Sequence, residues 1–174
     1  MYKIKINYIK FSFTTSLPCK IFINNNFVKK TSIYIGKINI NNSYYKCSLM
    51  KNLCYVNFTG VKEISDIQNI ITTYCELAKC KKESKVKIDS IFSTVNNLNI
   101  NVNNFDKLTN YLNNNNGYLK LYPNFSGIYF KFKNIKGCGI YFKKSKKINL
   151  FGQKNLINIK EFINILIKTN TQIS

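Results

Sequence analysis

Two pairs of similar segments, met in the same order, constrain this chain more than any other feature. Lys3-Ile4-Lys5-Ile6-Asn7-Tyr8-Ile9 resembles Lys85-Val86-Lys87-Ile88-Asp89-Ser90-Ile91, an offset of 82 residues. Gly60-Val61-Lys62-Glu63-Ile64-Ser65-Asp66-Ile67 resembles Gly152-Gln153-Lys154-Asn155-Leu156-Ile157-Asn158-Ile159, an offset of 92. In the second pair Ile64/Leu156, Ile67/Ile159, Ile70/Phe162 and Ile71/Ile163 match, which is helical spacing. The change of offset places extra residues inside the second copy, near the Asn113–Asn116 tract. Self-similarity of this kind means one structural unit used twice.

The chain then divides into halves at 1–84 and 85–174, joined by the polar linker Lys81-Lys82-Glu83-Ser84-Lys85. Each half reads as an opening strand (3–14, 85–95), a set of strands (31–40, 45–50 and 53–59; 118–122, 125–133, 138–143 and 146–151) and a long closing helix (62–80, 154–169). A short helix is clearest at 104–112, where Phe105, Leu108 and Leu112 are spaced i, i+3, i+7. The segment 17–26 carries no clear pattern. Such units predict an α+β fold: two repeats paired strand to strand into one long, curved antiparallel sheet, a pseudo-twofold saddle with helices on its convex face.

Charge narrows the partner. Net charge is +20, from 27 basic and 7 acidic residues, and every basic residue is Lys. Lys, Ile, Tyr, Phe and 28 Asn are what an AT-rich genome over-produces. The placement of the acids says more. Six lie in or beside predicted helices, and only Asp89 lies in a strand. Strands of one sign suit a polyanion. Membrane binding would call for an anchor or a basic amphipathic helix, and no apolar run approaches the roughly 18–20 residues of a span. The chain lacks His, the commonest general base and metal ligand. Its six Cys form no CxxC pair and read as structural thiols. Neither a phosphate loop nor a nucleophile motif is present. The expectation is a non-enzymatic, intracellular nucleic-acid-binding protein without metal or cofactor.

One hairpin carries the sharpest signal. Phe125-Ser126-Gly127-Ile128-Tyr129-Phe130-Lys131-Phe132-Lys133 leads through a Gly-containing turn to Ile140-Tyr141-Phe142. Strand alternation puts Ser126, Ile128, Phe130 and Phe132 on one face, and Phe125, Gly127, Tyr129, Lys131 and Lys133 on the other. The first is a core face. The second mixes aromatics with lysines, a combination used against nucleic acid.

These residues resemble the TATA-box-binding protein family. That family carries Phe-Pro-Gly-Leu-Ile-Tyr-Arg, then Leu-Ile-Phe, a Ser-Gly-Lys turn and Thr-Gly-Ala-Lys before the long helix. Here the counterparts are Phe125–Lys131, Ile140-Tyr141-Phe142, Lys144-Ser145-Lys146 and Gly152-Gln153-Lys154, with Thr59-Gly60-Val61-Lys62 in the first half. The resemblance implies a saddle lying on the minor groove, with phenylalanines wedged between base steps. It makes Phe125 and Phe142 the wedges, Lys131 a phosphate contact, and Asn149, Phe151, Asn57 and Thr59 groove-facing residues. Double-stranded DNA would be one partner. RNA polymerase and a TFIIB-like or other transcription factor would bind the convex helices, in the nucleus or, for a virus, in a cytoplasmic factory or virion. Two departures stand out. Tyr8 and Ser90 align with a central family Asn, and only a one-residue slip would substitute Asn7. Met50 aligns with Phe142, with Phe27 or Ile33 as its candidate partner. A saddle that serves as an interaction subunit with little DNA bending is the alternative.

Overall fold

The computed structural model describes residues 2–22, 27–50, 52–100 and 105–173. Asn104, at the start of the expected short helix, lies outside them. The described residues form ten strands and three α-helices, and the chain divides into two compact units, Tyr8–Asp89 and Ser90–Ser174 together with Met1–Asn7. Relative to a cut at 84/85, the residues up to Asn7 group with the second unit, and 85–89 with the first.

The first unit contains most of β1 (Lys3–Thr14), then β2 (Val28–Lys30), β3 (Ile33–Ile40), β4 (Ser43–Met50), β5 (Tyr55–Val61) and α1 (Asp66–Ala78). Its strands run antiparallel in the order β2-β3-β4-β5-β1. Asn41 and Asn42 close the β3–β4 hairpin with φ of 50° and 62°. Asn tolerates this region, and two positive φ values match the twist of the flanking strands. Within the stretch without a sequence pattern, whose residues 23–26 lie outside the described ones, Lys20–Phe22 forms a 3-10 turn.

Alternation decides what faces α1. Ile9, Phe11 and Phe13 of β1, Val56 and Phe58 of β5, and Cys47 and Leu49 of β4 are buried on one side. The Phe11 and Phe58 rings stack at 5.4 Å. α1 presents Ile67, Ile70, Ile71 and Tyr74, the i, i+3, i+4, i+7 stripe of an amphipathic helix. Tyr74 meets Phe13 and Phe58 edge-on, at 5.8 Å and 5.4 Å. Aromatic pairs favour this geometry because a positive ring edge meets a negative ring face. α1 ends at Lys79, a left-handed residue whose N–H bonds back to the helix.

The second unit contains most of β6 (Lys87–Asn96), then α2 (Phe105–Asn114), β7 (Gly117–Leu121), β8 (Gly127–Phe132), β9 (Cys138–Phe142), β10 (Lys147–Gln153) and α3 (Leu156–Ile173). Its strands run antiparallel in the order β6-β10-β9-β8-β7. Ile91, Val95, Ile148, Leu150, Tyr141, Phe130 and Phe132 turn inward to meet Ile159, Phe162, Ile163 and Leu166 of α3. Phe162 lies edge-on to Phe132 at 4.8 Å. α2 adds Leu108 and Leu112, both fully buried. Asn113 and Asn114, of the tract near which the change of offset places extra residues, form its last turn.

The repeated Gly-x-Lys segment has a different role from the one expected. It does not open the helix. The β1–β5 register jumps from Ile9↔Val61 to Lys10↔Thr59, so Gly60 is an extra residue in β5, at φ 106°. The β6–β10 register jumps likewise between Leu150 and Gln153, where Gly152 has φ 72°. Both glycines form bulges, for which a positive φ suits Gly best. The helices start later, at Asp66 and Leu156.

The inward rings hold each unit together. Phe162→Ala removes a fully buried ring. It is expected to lower unfolding free energy by about 3–5 kcal/mol, measured by urea denaturation.

Candidate nucleic-acid interface

The face of each unit turned away from its helices is ordered by strand register. In the second unit one row runs straight across five strands: Lys120, Tyr129, Ile140, Asn149 and Thr94. Beside it run Gly127, Phe142 and Lys147 on one flank, and the pairs Tyr118–Lys131 and Cys138–Phe151 on the other. None of these side chains is held in the core. They are the partners, one residue out of phase, of the buried residues just described.

The structure brings the two expected wedges together. The Phe125 and Phe142 rings lie 5.9 Å apart and nearly perpendicular, and Phe125 is 44% exposed. They meet because Gly127 is register-paired with Phe142 and has no side chain. A Cβ there would come within 2.6 Å of both the Phe125 ring and Ile140. Gly127 therefore leaves the space in which Phe125 folds back over β8. Lys131 is exposed two strand positions beyond Tyr129.

More aromatics surround the pair than the sequence motif named. Tyr129 is half-buried, 6.0 Å from Tyr118 and 6.5 Å from Tyr122. Lys120 Nζ sits 4.8 Å from the Tyr122 ring centre. Burial raises the Tyr129 phenol above its ordinary pKa, with Cys138 and Tyr118 adding to the shift. Tyr129 thus stays a neutral hydroxyl at physiological pH. Phe151 stacks on Phe92 at 4.7 Å. The period-2 pattern of β6 and β7 could have found Phe92 and Tyr118, but no spacing motif marks them.

Hydrogen bonds order the centre of this face. Asn7 Nδ2 donates to Thr94 Oγ1 at 2.7 Å, and the Thr94 hydroxyl donates to Asn149 Oδ1 at 3.0 Å. Asn7 is thus the amide that takes part, while its neighbour Tyr8, the residue aligned on the family Asn, stands 37% exposed. Ser90 is half-buried on β6.

In the first unit the equivalent face is more polar. One row reads Lys37, Lys46, Thr59, Lys10, and the next Ile35, Ser48, Asn57, Ser12. Lys37 directly opposes Lys46. Like charges placed so disfavour the sheet, and an anion laid across the row would relieve them. Tyr55 donates its hydroxyl to Ser12 at 2.7 Å, and Asn57 donates to Asp89 Oδ2 at 3.1 Å. Asn57 is only 5% exposed.

Among the described residues, no phenylalanine pair forms on this outward face. Met50 is half-buried in the row with Tyr55 and Thr14. Phe27 packs 6.0 Å from Phe22, whose ring stacks on the core residue Tyr74. Its contact is with the helix-side cluster. Ile33, 92 residues before Phe125, begins β3 and is half-buried.

All six cysteines are free thiols. Cys19 and Cys80 approach to 3.9 Å beneath α1. Burial, with Cys19 and Cys75 nearby, pushes the Cys80 thiol up to about 12. A thiol held protonated is a poor nucleophile and a poor metal ligand. No cluster suited to a metal ion occurs among the described residues, and no described helix is long and apolar enough to cross a membrane.

The architecture has a solved counterpart. The chain aligns with the TBP of Methanococcus jannaschii over 99% of both chains, at a TM-score of 0.71 and 14% identity. The fold is that of TBP. At this identity the likeness establishes the α+β architecture and no further property. The regulatory subunit of aspartate kinase from Thermus thermophilus aligns at 9% identity with a TM-score of 0.25, too low for a common fold. No protein-family model and no curated protein matches the chain.

The wedge geometry depends on one missing side chain. Gly127→Ala is expected to push Phe125 off Phe142 and to cost about 1–3 kcal/mol of stability as an overpacked site. Aromatic NMR shifts of the two rings and a denaturation curve report both effects.

Proposed function

We propose that this chain is a non-enzymatic DNA-binding factor that lies along the minor groove of A·T-rich duplex and bends it. The observation that carries the reading is the Phe125–Phe142 pair, aromatic and accessible on the strand face that also bears Lys131 and Lys147. A pair of rings pressed into a base step replaces part of the stacking that a kink removes. Lysines around it neutralise phosphates and displace counterions. The minor groove suits few polar readers, because it distinguishes mainly A·T from G·C. Asn149 and Thr59 lie on the faces that would meet it.

In this reading the helical side is left for protein. Ile64 (40% exposed) precedes α1, Leu77 (46%) lies within it, and Leu156 (40%) and Ile157 (74%) begin α3. Exposed apolar side chains of this kind suit contacts with a polymerase or a TFIIB-like factor, and the proposed role is transcription initiation. A second reading has a specific observation behind it. The first unit turns Phe27 toward its core and, at the positions matching Phe142 and Phe125, carries the aliphatic Met50 and Ile33 in place of phenylalanine rings. A TBP-fold subunit that binds partners and bends DNA little would look this way in one unit.

Fluorescence energy transfer between the ends of an A·T-rich duplex separates the two. The first reading expects a bend with wild-type protein and a much smaller one with Phe125→Ala/Phe142→Ala. An unchanged bend in that double variant would remove the wedge. Absence of duplex binding at low salt, together with stable co-purification of a protein partner, would favour the second reading. Lys131→Gln is expected to weaken binding on all sequences alike and to lower the slope of log affinity against log salt by about one.

A further inference from the structure

Asn57 and Asn149 are counterparts, 92 residues apart, in β5 and β10. Their hydrogen bonds run in opposite senses. Asn149 receives the Thr94 hydroxyl on its amide oxygen, and Thr94 in turn receives the Asn7 amide. The group that Asn149 has left to offer is its NH2, a donor. Asn57 instead spends an amide N–H on the Asp89 carboxylate. Asp89 is the 82-residue counterpart of Asn7. One unit thus carries an amide donor where the other carries a carboxylate that only accepts.

Asp89 is the single acidic residue in the ten strands. It is half-buried, and its Oδ2 meets the side chain of Asn57, whose row mates Ser12 and Ser48 lie on the face away from α1. An ionised carboxylate accepts through two oxygens with about four lone-pair directions. Asn57 is one partner of Oδ2. In the minor groove an A·T pair shows only acceptors, the adenine N3 and thymine O2, whereas a G·C pair adds the guanine N2 amino donor. A carboxylate set over A·T meets like polarity. Over G·C it meets the one donor the groove has.

We propose that Asp89, held by Asn57, is a specificity-determining residue that selects a guanine amino group in the minor groove. Asn149 in the other unit, its amide oriented by Thr94 and Asn7, reads acceptors. The preferred duplex is then A·T-rich with one G·C pair at a fixed position, and the two units read unlike half-sites. This rests on the minor-groove reading given above.

Inosine tests it directly, because inosine is guanine without the N2 amino group and is unchanged on its major-groove edge. A bound sequence is first selected from a random duplex pool with the full chain. Each guanine in it is then replaced singly by inosine. Wild-type protein should lose roughly ten-fold in affinity at one position, the scale of one lost base contact. Asp89→Asn, nearly the same shape, should bind guanine and inosine duplexes alike. Equal wild-type affinity for every inosine duplex would overturn the Asp89 assignment and leave minor-groove binding standing. A guanine preference retained by Asp89→Asn would overturn it as well. Failure to bind any duplex would overturn both readings. The inosine series uses unaltered protein, so the result does not depend on the variant folding.

Discussion

Everything outward in this protein is placed by what is packed inward. A strand sends successive side chains to opposite faces, so burying every second residue against a helix fixes the phase of those between. Tyr74 edge-on to Phe13 and Phe58, and Phe162 edge-on to Phe132, set that phase in the two units. Slipping β8 by one residue would bury Tyr129 and Lys131 and expose Phe130 and Phe132. The apolar area of two phenylalanines, about 2–3 kcal/mol each, and the cost of an unpaired buried ammonium both oppose that slip. Phe125, Phe142 and the lysines around them are therefore held in place by a core that does not include them.

The same logic lets charge and packing divide the molecule's tasks. Lysines occupy the face turned away from the helices because the inward face excludes them. Acids are confined to helices and loops, apart from Asp89. A strand face with a lysine row such as Lys37, Lys46 and Lys10 gains little for stability and disfavours itself through like charge. In the proposed function, its arrangement is complementary to the phosphates of the duplex. The bulges at Gly60 and Gly152 end each closing strand before its helix begins, and so set where that helix can pack.

The two units share a five-stranded antiparallel order and a closing helix, and they differ on the outward face. Apolar matches such as Ile67/Ile159, Ile70/Phe162 and Ile71/Ile163 preserve the helix stripe, because a change there leaves a cavity or a clash. Outward pairs are freer to change. Met50 stands for Phe142, Ile33 for Phe125, Asp89 for Asn7 and Lys10 for Phe92. One unit has become an aromatic surface with an amide at its centre. The other has become a lysine-and-serine surface around a carboxylate.

By itself, the sequence determined the repeat, the α+β class, the alternating faces of β8 and the helix stripes. These depend on local periodicity, which a chain states directly. It also placed Phe125 and Phe142 on a shared hairpin through their spacing. Only the tertiary structure decided that Gly60 and Gly152 are strand bulges, because a bulge exists only relative to a partner strand. The same holds for the turning of Phe27 toward Phe22. The pairings Asn7–Thr94–Asn149 and Asn57–Asp89 join residues 87, 55 and 32 positions apart. No periodicity reaches that far, and which polar atom of an amide is spent and which is left over is settled only when the strands are side by side.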